Sequence, residues 1–159
     1  MPTRKPAAKL APGDGAPNFT LPADNGSMVS LADFAGKPVV LYFYPKDDTS
    51  GCTREACGFR DHWRDVQQRG AVVLGVSPDG VASHNKFKRK YELPFPLLAD
   101  EQHDVAQAYG VWGEKSMYGR TYMGILRTTF LIGPDGRIAR IFEKVKPEGH
   151  AAEVLAALG

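Results

Sequence analysis

The stretch from Val39 to Val76 constrains the fold of this chain more than any other. Val39-Val40-Leu41-Tyr42-Phe43-Tyr44 is apolar at every position, and Ala71-Val72-Val73-Leu74-Gly75-Val76 carries no polar side chain either. Strands without polar alternation are buried on both faces, as parallel strands are when helices cover the sheet above and below. Between the two runs the period changes. Cys52, Ala56, Phe59, Trp63 and Val66 fall on one stripe of a helix predicted from Cys52 to about Gln68, with Gly70 as its stop. Strand, helix and buried strand in that order define a right-handed parallel βαβ unit.

The flanking segments extend this unit. Phe19-Thr20-Leu21 and Met28-Val29-Ser30-Leu31 bracket an Asn25-Gly26 turn, a strong hairpin signal. A second helix is predicted over Val81 to Tyr91, ending before Pro94. From Pro94 to Gly124 the pattern is less regular, with a short strand at Leu97-Leu98 and a short helix near Asp104 to Ala108. The loop from Gly113 to Gly124 reads either as a border of the site or as ordinary surface. Thr128-Thr129-Phe130-Leu131-Ile132 and Arg137-Ile138-Ala139-Arg140-Ile141-Phe142 then flank Gly133-Pro134-Asp135-Gly136, a second hairpin, and Pro147 to Leu158 forms a last helix. The order βαβα, insertion, ββα is that of an α/β domain with a thioredoxin-like fold: a central mixed sheet flanked by helices, here with an N-terminal β-hairpin extension. In that topology the strand at Thr128 runs antiparallel to the strand at Val39. Arg127 therefore arrives beside Pro45, close to Cys52.

At 159 residues the chain suits one domain. We expect that domain over 15–159, after a flexible N-terminal arm over 1–14. The arm holds Arg4, Lys5 and Lys9 among alanines and prolines and lacks the apolar core of a secretory signal, and no stretch approaches a membrane span. A net charge of +2 is too small to argue for nucleic acid or an anionic membrane as partner. Two cysteines make no disulfide scaffold; in a chain of this size they read as a reactive or metal-binding pair in a cytoplasmic protein. His62, His84, His103 and His150 share no ligand spacing with them, so no metal is expected, and no nucleotide or flavin motif occurs. Lys86, Lys88, Arg89 and Lys90 read as a solvated helix face, with docking of an acidic protein as the alternative.

Cys52 follows the polar turn Lys46-Asp47-Asp48-Thr49-Ser50-Gly51 and falls where the first helix begins. Unpaired N–H groups and the positive end of the helix dipole favour a thiolate there. The plain alternative is a small buried hydrophobe. A lowered thiol pKa by itself raises the ionised fraction only about thirtyfold, so a fast reaction also needs donors for the charge that develops on the substrate. For a peroxide that charge grows along the breaking O–O bond. Thr49 can offer its hydroxyl, Gly51 and Cys52 their N–H groups, and Arg127 a fork of donors, while Pro45 has no N–H to attract water. Taken singly, Thr49 or Ser50 reads equally as an N-cap, Pro45 as a strand end, and Arg127 as a solvated charge.

Cys57, five positions on, is the second sulfur. On an intact helix such residues lie roughly 8 to 9 Å apart at Cα, whereas a disulfide needs about 7 Å or less. A bridge between Cys52 and Cys57 therefore requires the start of the helix to unwind.

Pro45-x-x-x-Thr49-x-x-Cys52 resembles the active-site motif of peroxiredoxins, thiol peroxidases of thioredoxin-like fold. Tyr42-Phe43-Tyr44-Pro45-Lys46-Asp47, Gly51-Cys52-Thr53, Glu55-Ala56-Cys57 and Gly110-Val111-Trp112-Gly113-Glu114-Lys115 are similar to the bacterioferritin comigratory protein (PrxQ) branch. The resemblance implies reduction of hydrogen peroxide or organic hydroperoxides without a cofactor. It makes Cys52 the peroxidatic and Cys57 the resolving cysteine, with Thr49 and Arg127 activating and orienting and Pro45 shielding. It further implies a thioredoxin-like reductant and a monomer, or at most a weak dimer. Two alternatives remain at this point: a protein disulfide reductase, which insulin reduction without peroxide consumption would favour, and a redox-responsive binding module, marked by stoichiometric reaction without turnover.

Overall fold

The computed structural model describes residues 10–158. Strands β1 (Thr20–Pro22) and β2 (Met28–Ser30) pair antiparallel and lead through a short 3-10 turn into β3 (Val39–Phe43). Helices α1 (Ser50–Asp61) and α2 (Trp63–Gln68), strand β4 (Val72–Ser77), helix α3 (Val81–Tyr91), strand β5 (Leu97–Ala99) and helix α4 (Asp104–Ala108) follow. Strands β6 (Trp112–Met117), β7 (Arg120–Ile125), β8 (Thr128–Ile132) and β9 (Ile138–Phe142) and helix α5 (His150–Leu158) complete the chain. The central sheet has the order β5-β4-β3-β8-β9, with β3 and β4 parallel, β4 and β5 parallel, and β8 antiparallel to β3 and β9. This is the expected thioredoxin-like arrangement.

Strand periodicity divides the core. Val39, Leu41 and Phe43 point to one side, packing with Phe19, Leu21, Ala106, Tyr109 and Phe130 beneath the N-terminal hairpin and α4. Val40, Tyr42 and Tyr44 point to the other and meet Ala56 and Phe59 of α1, Phe87 of α3, and Val154 and Leu155 of α5. Gly75 on β4 is set by this second layer. A Cβ there would lie 2.9 Å from the Tyr42 ring and 3.0 Å from Leu97 Cδ2. Gly75→Ala is accordingly expected to cost about 1–3 kcal/mol through overpacking, read as a lowered urea midpoint with an unchanged m-value.

Two expectations need correction. The single helix from Cys52 to Gln68 is interrupted at His62, whose φ of −100° and ψ of 16° end α1 and start α2; His62 N–H and Nδ1 both turn back to the Gly58 carbonyl. The supposed loop from Gly113 to Gly124 is an antiparallel hairpin, β6 with β7, turning at Tyr118 and Gly119, both with positive φ. Its strands escape a burial pattern because most of their side chains are exposed. Residues 1–9 of the expected arm lie outside the described residues, but its end is tied down. Gly13 N–H donates to the Ile138 carbonyl at 2.7 Å and Ile138 N–H to the Asp14 carbonyl at 2.8 Å.

Two members of the basic run on α3 have acidic partners: Lys88 lies 3.3 Å from Asp24 and Lys90 2.8 Å from Asp48. Among the described residues no helix is long and apolar enough to cross a membrane.

Candidate active site

The register of β3 against β8 pairs Phe43 with Thr128, so each chain leaves the sheet at the same edge. From β3 the chain continues into Tyr44, Pro45 and the polar turn; into β8 it arrives through Arg127. Helix α1 starts above this edge. Its first helical bond runs from Thr53 N–H to the Thr49 carbonyl, and Thr49, the N-cap residue, makes no side-chain cap bond. The N–H groups of Gly51 and Cys52 are therefore not taken by a cap.

Cys52 Sγ accepts a hydrogen bond from Arg127 Nη2 at 3.3 Å. The sulfur belongs to the buried layer with Tyr42, Tyr44 and Phe59 and is 1% exposed, yet it is not sealed in hydrocarbon, because a guanidinium sits on it. Gly51 makes room for that contact: a Cβ there would stand 3.3 Å from Arg127 Nη2 and 3.4 Å from Pro147. Arg127 is fixed from behind. Its Nη1 donates to Glu55 Oε1 at 2.8 Å, and the Glu55 side chain is fully buried. Desolvation raises the Glu55 carboxyl to about 7, against the opposing pull of Arg127. Its second oxygen, Oε2, has no hydrogen-bond partner and lies 4.0 Å from His150 Nε2. His150, buried at the start of α5, spans Thr129 Oγ1 at 2.8 Å and Glu153 Oε1 at 3.0 Å, and burial pushes its pKa down.

Thr49 differs from expectation in one respect. Its hydroxyl donates to the Lys46 carbonyl at 2.9 Å, so what it presents outward is lone pairs rather than a proton. Pro45 is half-buried at the end of β3. Cys57 is half-buried on α1, where desolvation pushes its thiol above the ordinary range, and both cysteines are free thiols. An intact α1 keeps them from bonding.

A second buried cluster holds the turn. Asp47 accepts from Tyr44 OH at 2.6 Å and Ser83 Oγ at 2.8 Å and lies 2.7 Å from His84 Nδ1; its own N–H donates to Asp79 at 2.7 Å. Asp47, Asp79 and His84 are close enough to offer a cation three ligand atoms. Their facing atoms are already occupied by these bonds and by Ser77, so the cluster acts as a clamp between the turn and α3.

Glu55, His150 and the Asp47–His84 clamp were not singled out as site residues from the sequence. Glu55 had a visible signal, since a carboxylate three positions after Cys52 falls on the buried side of its helix. His84 and His150 had none, because their partners come from distant segments.

Residues 12–141 match the AhpC/TSA family. A bcp peroxiredoxin of Coxiella burnetii is 56% identical over 146 residues, covering 92% of this chain and 97% of its own. Peroxiredoxin Bcp of Bacillus subtilis is 50% identical over 92% of this chain and 93% of its own. The structure of the Xanthomonas campestris bacterioferritin comigratory protein, studied for alkyl peroxide reduction, superposes with a TM-score of 0.84 at 42% identity, covering 88% of this chain and 89% of its own. A thioredoxin-like sheet with a thiol under a guanidinium thus defines the class, a thiol peroxidase. The chain belongs to the AhpC/TSA family, as a peroxiredoxin of the bacterioferritin comigratory protein (PrxQ) branch.

Proposed function

We propose that Cys52 is the peroxidatic nucleophile and that its substrates are hydrogen peroxide and small organic hydroperoxides. The observation that carries this reading is the Arg127 Nη2 contact with Cys52 Sγ at 3.3 Å. The sulfur anion attacks the terminal oxygen of R–O–O–H. An S–O bond forms, the O–O bond breaks, and the departing alkoxide takes a proton to leave as ROH, so Cys52 becomes a sulfenic acid. Arg127 and the free N–H groups at the start of α1 meet the charge along the breaking bond. Thr49, its proton held by the Lys46 carbonyl, accepts the peroxide O–H and orients it. Pro45, without an N–H, keeps water from the sulfur.

Cys57 then resolves the sulfenic acid. Its sulfur bonds to Cys52 and the hydroxyl leaves as water with the Cys57 proton. While α1 is wound, burial keeps Cys57 in its thiol form; unwinding both brings it within reach and exposes it. A thioredoxin-like dithiol protein reduces the bridge through a mixed disulfide. We further take the protein as a cytoplasmic monomer, a weak dimer being the alternative. We take it as one domain over 15–159, after the arm over 1–14.

Cys57→Ser tests the resolving step. The variant is expected to consume about one equivalent of peroxide per chain and then to stall with thioredoxin. Unchanged turnover would place the resolving thiol elsewhere.

A further inference from the structure

Helix α1 carries Glu55 between the two cysteines, inside the segment that must open before a Cys52–Cys57 bond can form. Its carboxyl is fully buried, one oxygen is bonded to Arg127, and the other is left without a partner. Arg127 in turn serves two groups, the Cys52 sulfur and this carboxyl. A single guanidinium cannot fully compensate two buried anions, so the wound helix accommodates Glu55 best as a neutral acid. Opening α1 moves the carboxyl into water, where the ionised form is preferred.

We propose that Glu55 is a positioning residue of the resolving step: it holds α1 wound while it keeps its proton, and loss of that proton favours opening of the segment that brings Cys57 to Cys52. The inference deepens the two-cysteine reading above and rests on it.

The sign follows from linkage. Glu55 binds its proton more tightly in the wound helix, at about 7, than at its ordinary value of 4.5. The wound state therefore has its full proton-linked advantage below about 4.5, and loses it as pH rises through about 7. Across that window the opening constant of α1 is expected to rise about tenfold per pH unit, roughly 300-fold in all. Below neutrality Cys57 meets the sulfenic acid more slowly, and that intermediate lives longer.

Several ionisable groups surround Glu55, and of these Arg127 acts on its carboxyl directly. Cys52 lies on its own helix, Tyr42 on β3 and Arg127 ahead of β8; His150 lies on α5, with Glu153 beyond it, and Lys115 on β6 reaches Arg127 and Cys52. Of these His150 has its pKa lowered from the ordinary 6.5 by burial, and it needs its own control.

The test is amide hydrogen exchange of α1 in the reduced full-length protein from pH 4.5 to 8, corrected for intrinsic rates. In the wild type the opening constant should climb across the lower part of that range and flatten above about pH 7. Glu55→Gln keeps an acceptor for Arg127 and cannot ionise; it should hold α1 at the acid-side protection at every pH. His150→Gln should leave the climb in place. A flat wild-type profile, an unchanged slope in Glu55→Gln, or a slope removed only by His150→Gln each overturns the proposal. Should Glu55→Gln fail to fold, difference infrared spectra of the wild type decide. Near pH 6 the reduced protein should show a buried carboxylic-acid band that is replaced by a carboxylate band when the disulfide forms, and no such exchange of bands counts against Glu55. Neither experiment needs peroxide turnover, so failure here leaves the peroxidase assignment standing, and the turnover assay tests that separately.

Discussion

Cys52→Ser is expected to abolish peroxide turnover, lowering the rate by at least about a thousandfold while leaving the fold intact. A hydroxyl is not appreciably ionised at neutral pH and is a poor nucleophile toward an O–O bond, so the chemistry has no substitute at this position. Structurally the change is mild. Serine is slightly smaller than cysteine, its oxygen can accept from Arg127 Nη2 as the sulfur does, and stability should change by no more than about 1 kcal/mol. Stopped-flow consumption of hydrogen peroxide, read beside a thermal melt, separates the two effects. Activity retained in a folded Cys52→Ser protein would move the nucleophile to another residue.

Arg127→Ala is expected to lower the second-order rate for peroxide by about 100- to 1000-fold, the usual loss when one fixed donor to developing charge is removed. It should also destabilise the protein, because the same side chain compensates buried Glu55. Breaking a buried pair from one side costs about 3–5 kcal/mol. The size of that cost depends on pH in a definite direction. With Arg127 present the Glu55 carboxyl is already raised to about 7, and without it the carboxyl rises further. In the acid range Glu55 is neutral and little is lost; above pH 7 the variant's carboxyl must either hold its proton against the solvent or be buried ionised and unpartnered, and the deficit grows. Denaturant melts of Arg127→Ala at pH 5 and pH 8 should diverge accordingly. Adding Glu55→Gln should restore much of the stability but none of the rate, since the amide needs no counter-charge and the sulfur still lacks its donor. Recovery of rate in the double variant would mean that Arg127 acts on Glu55 alone.

Segments whose burial is uniform were readable from sequence. The two apolar runs at Val39 and Ala71 could only be central strands, and the stripe from Cys52 to Val66 could only be a helix laid on them. Arg127 followed from topology, because antiparallel pairing of β8 with β3 leaves it one residue outside the sheet beside Tyr44 and Pro45. The β6–β7 hairpin did not show itself: Met117, Tyr118, Tyr122 and Met123 are exposed, so its side chains follow no inside–outside alternation. The break at His62 was hidden as well, since apolar spacing continues through it from Phe59 to Val66 and only a local turn to the Gly58 carbonyl marks it.

Within the site, motif spacing located the groups that border Cys52 along the chain, but not those that act through another residue. Thr49 was recognisable, whereas the direction of its hydrogen bond was not, because the Lys46 carbonyl it faces is fixed by the shape of the turn. The support behind Arg127 joins Glu55 of α1, Thr129 of β8 and His150 of α5, three elements that meet only after folding. A carboxylate and a histidine that lie inside apolar stripes look like interruptions until their partners arrive.

The central claim is that one sulfur, Cys52, takes oxygen from peroxide and is relieved by Cys57. Peroxide consumption with thioredoxin and its reductase, followed by intact and peptide mass spectrometry of the oxidised protein, tests it most directly. The account predicts continuous turnover and an oxidised chain lighter by two hydrogens, with Cys52 and Cys57 in one cross-linked peptide. Turnover without that bridge, or the bridge without turnover, would contradict it.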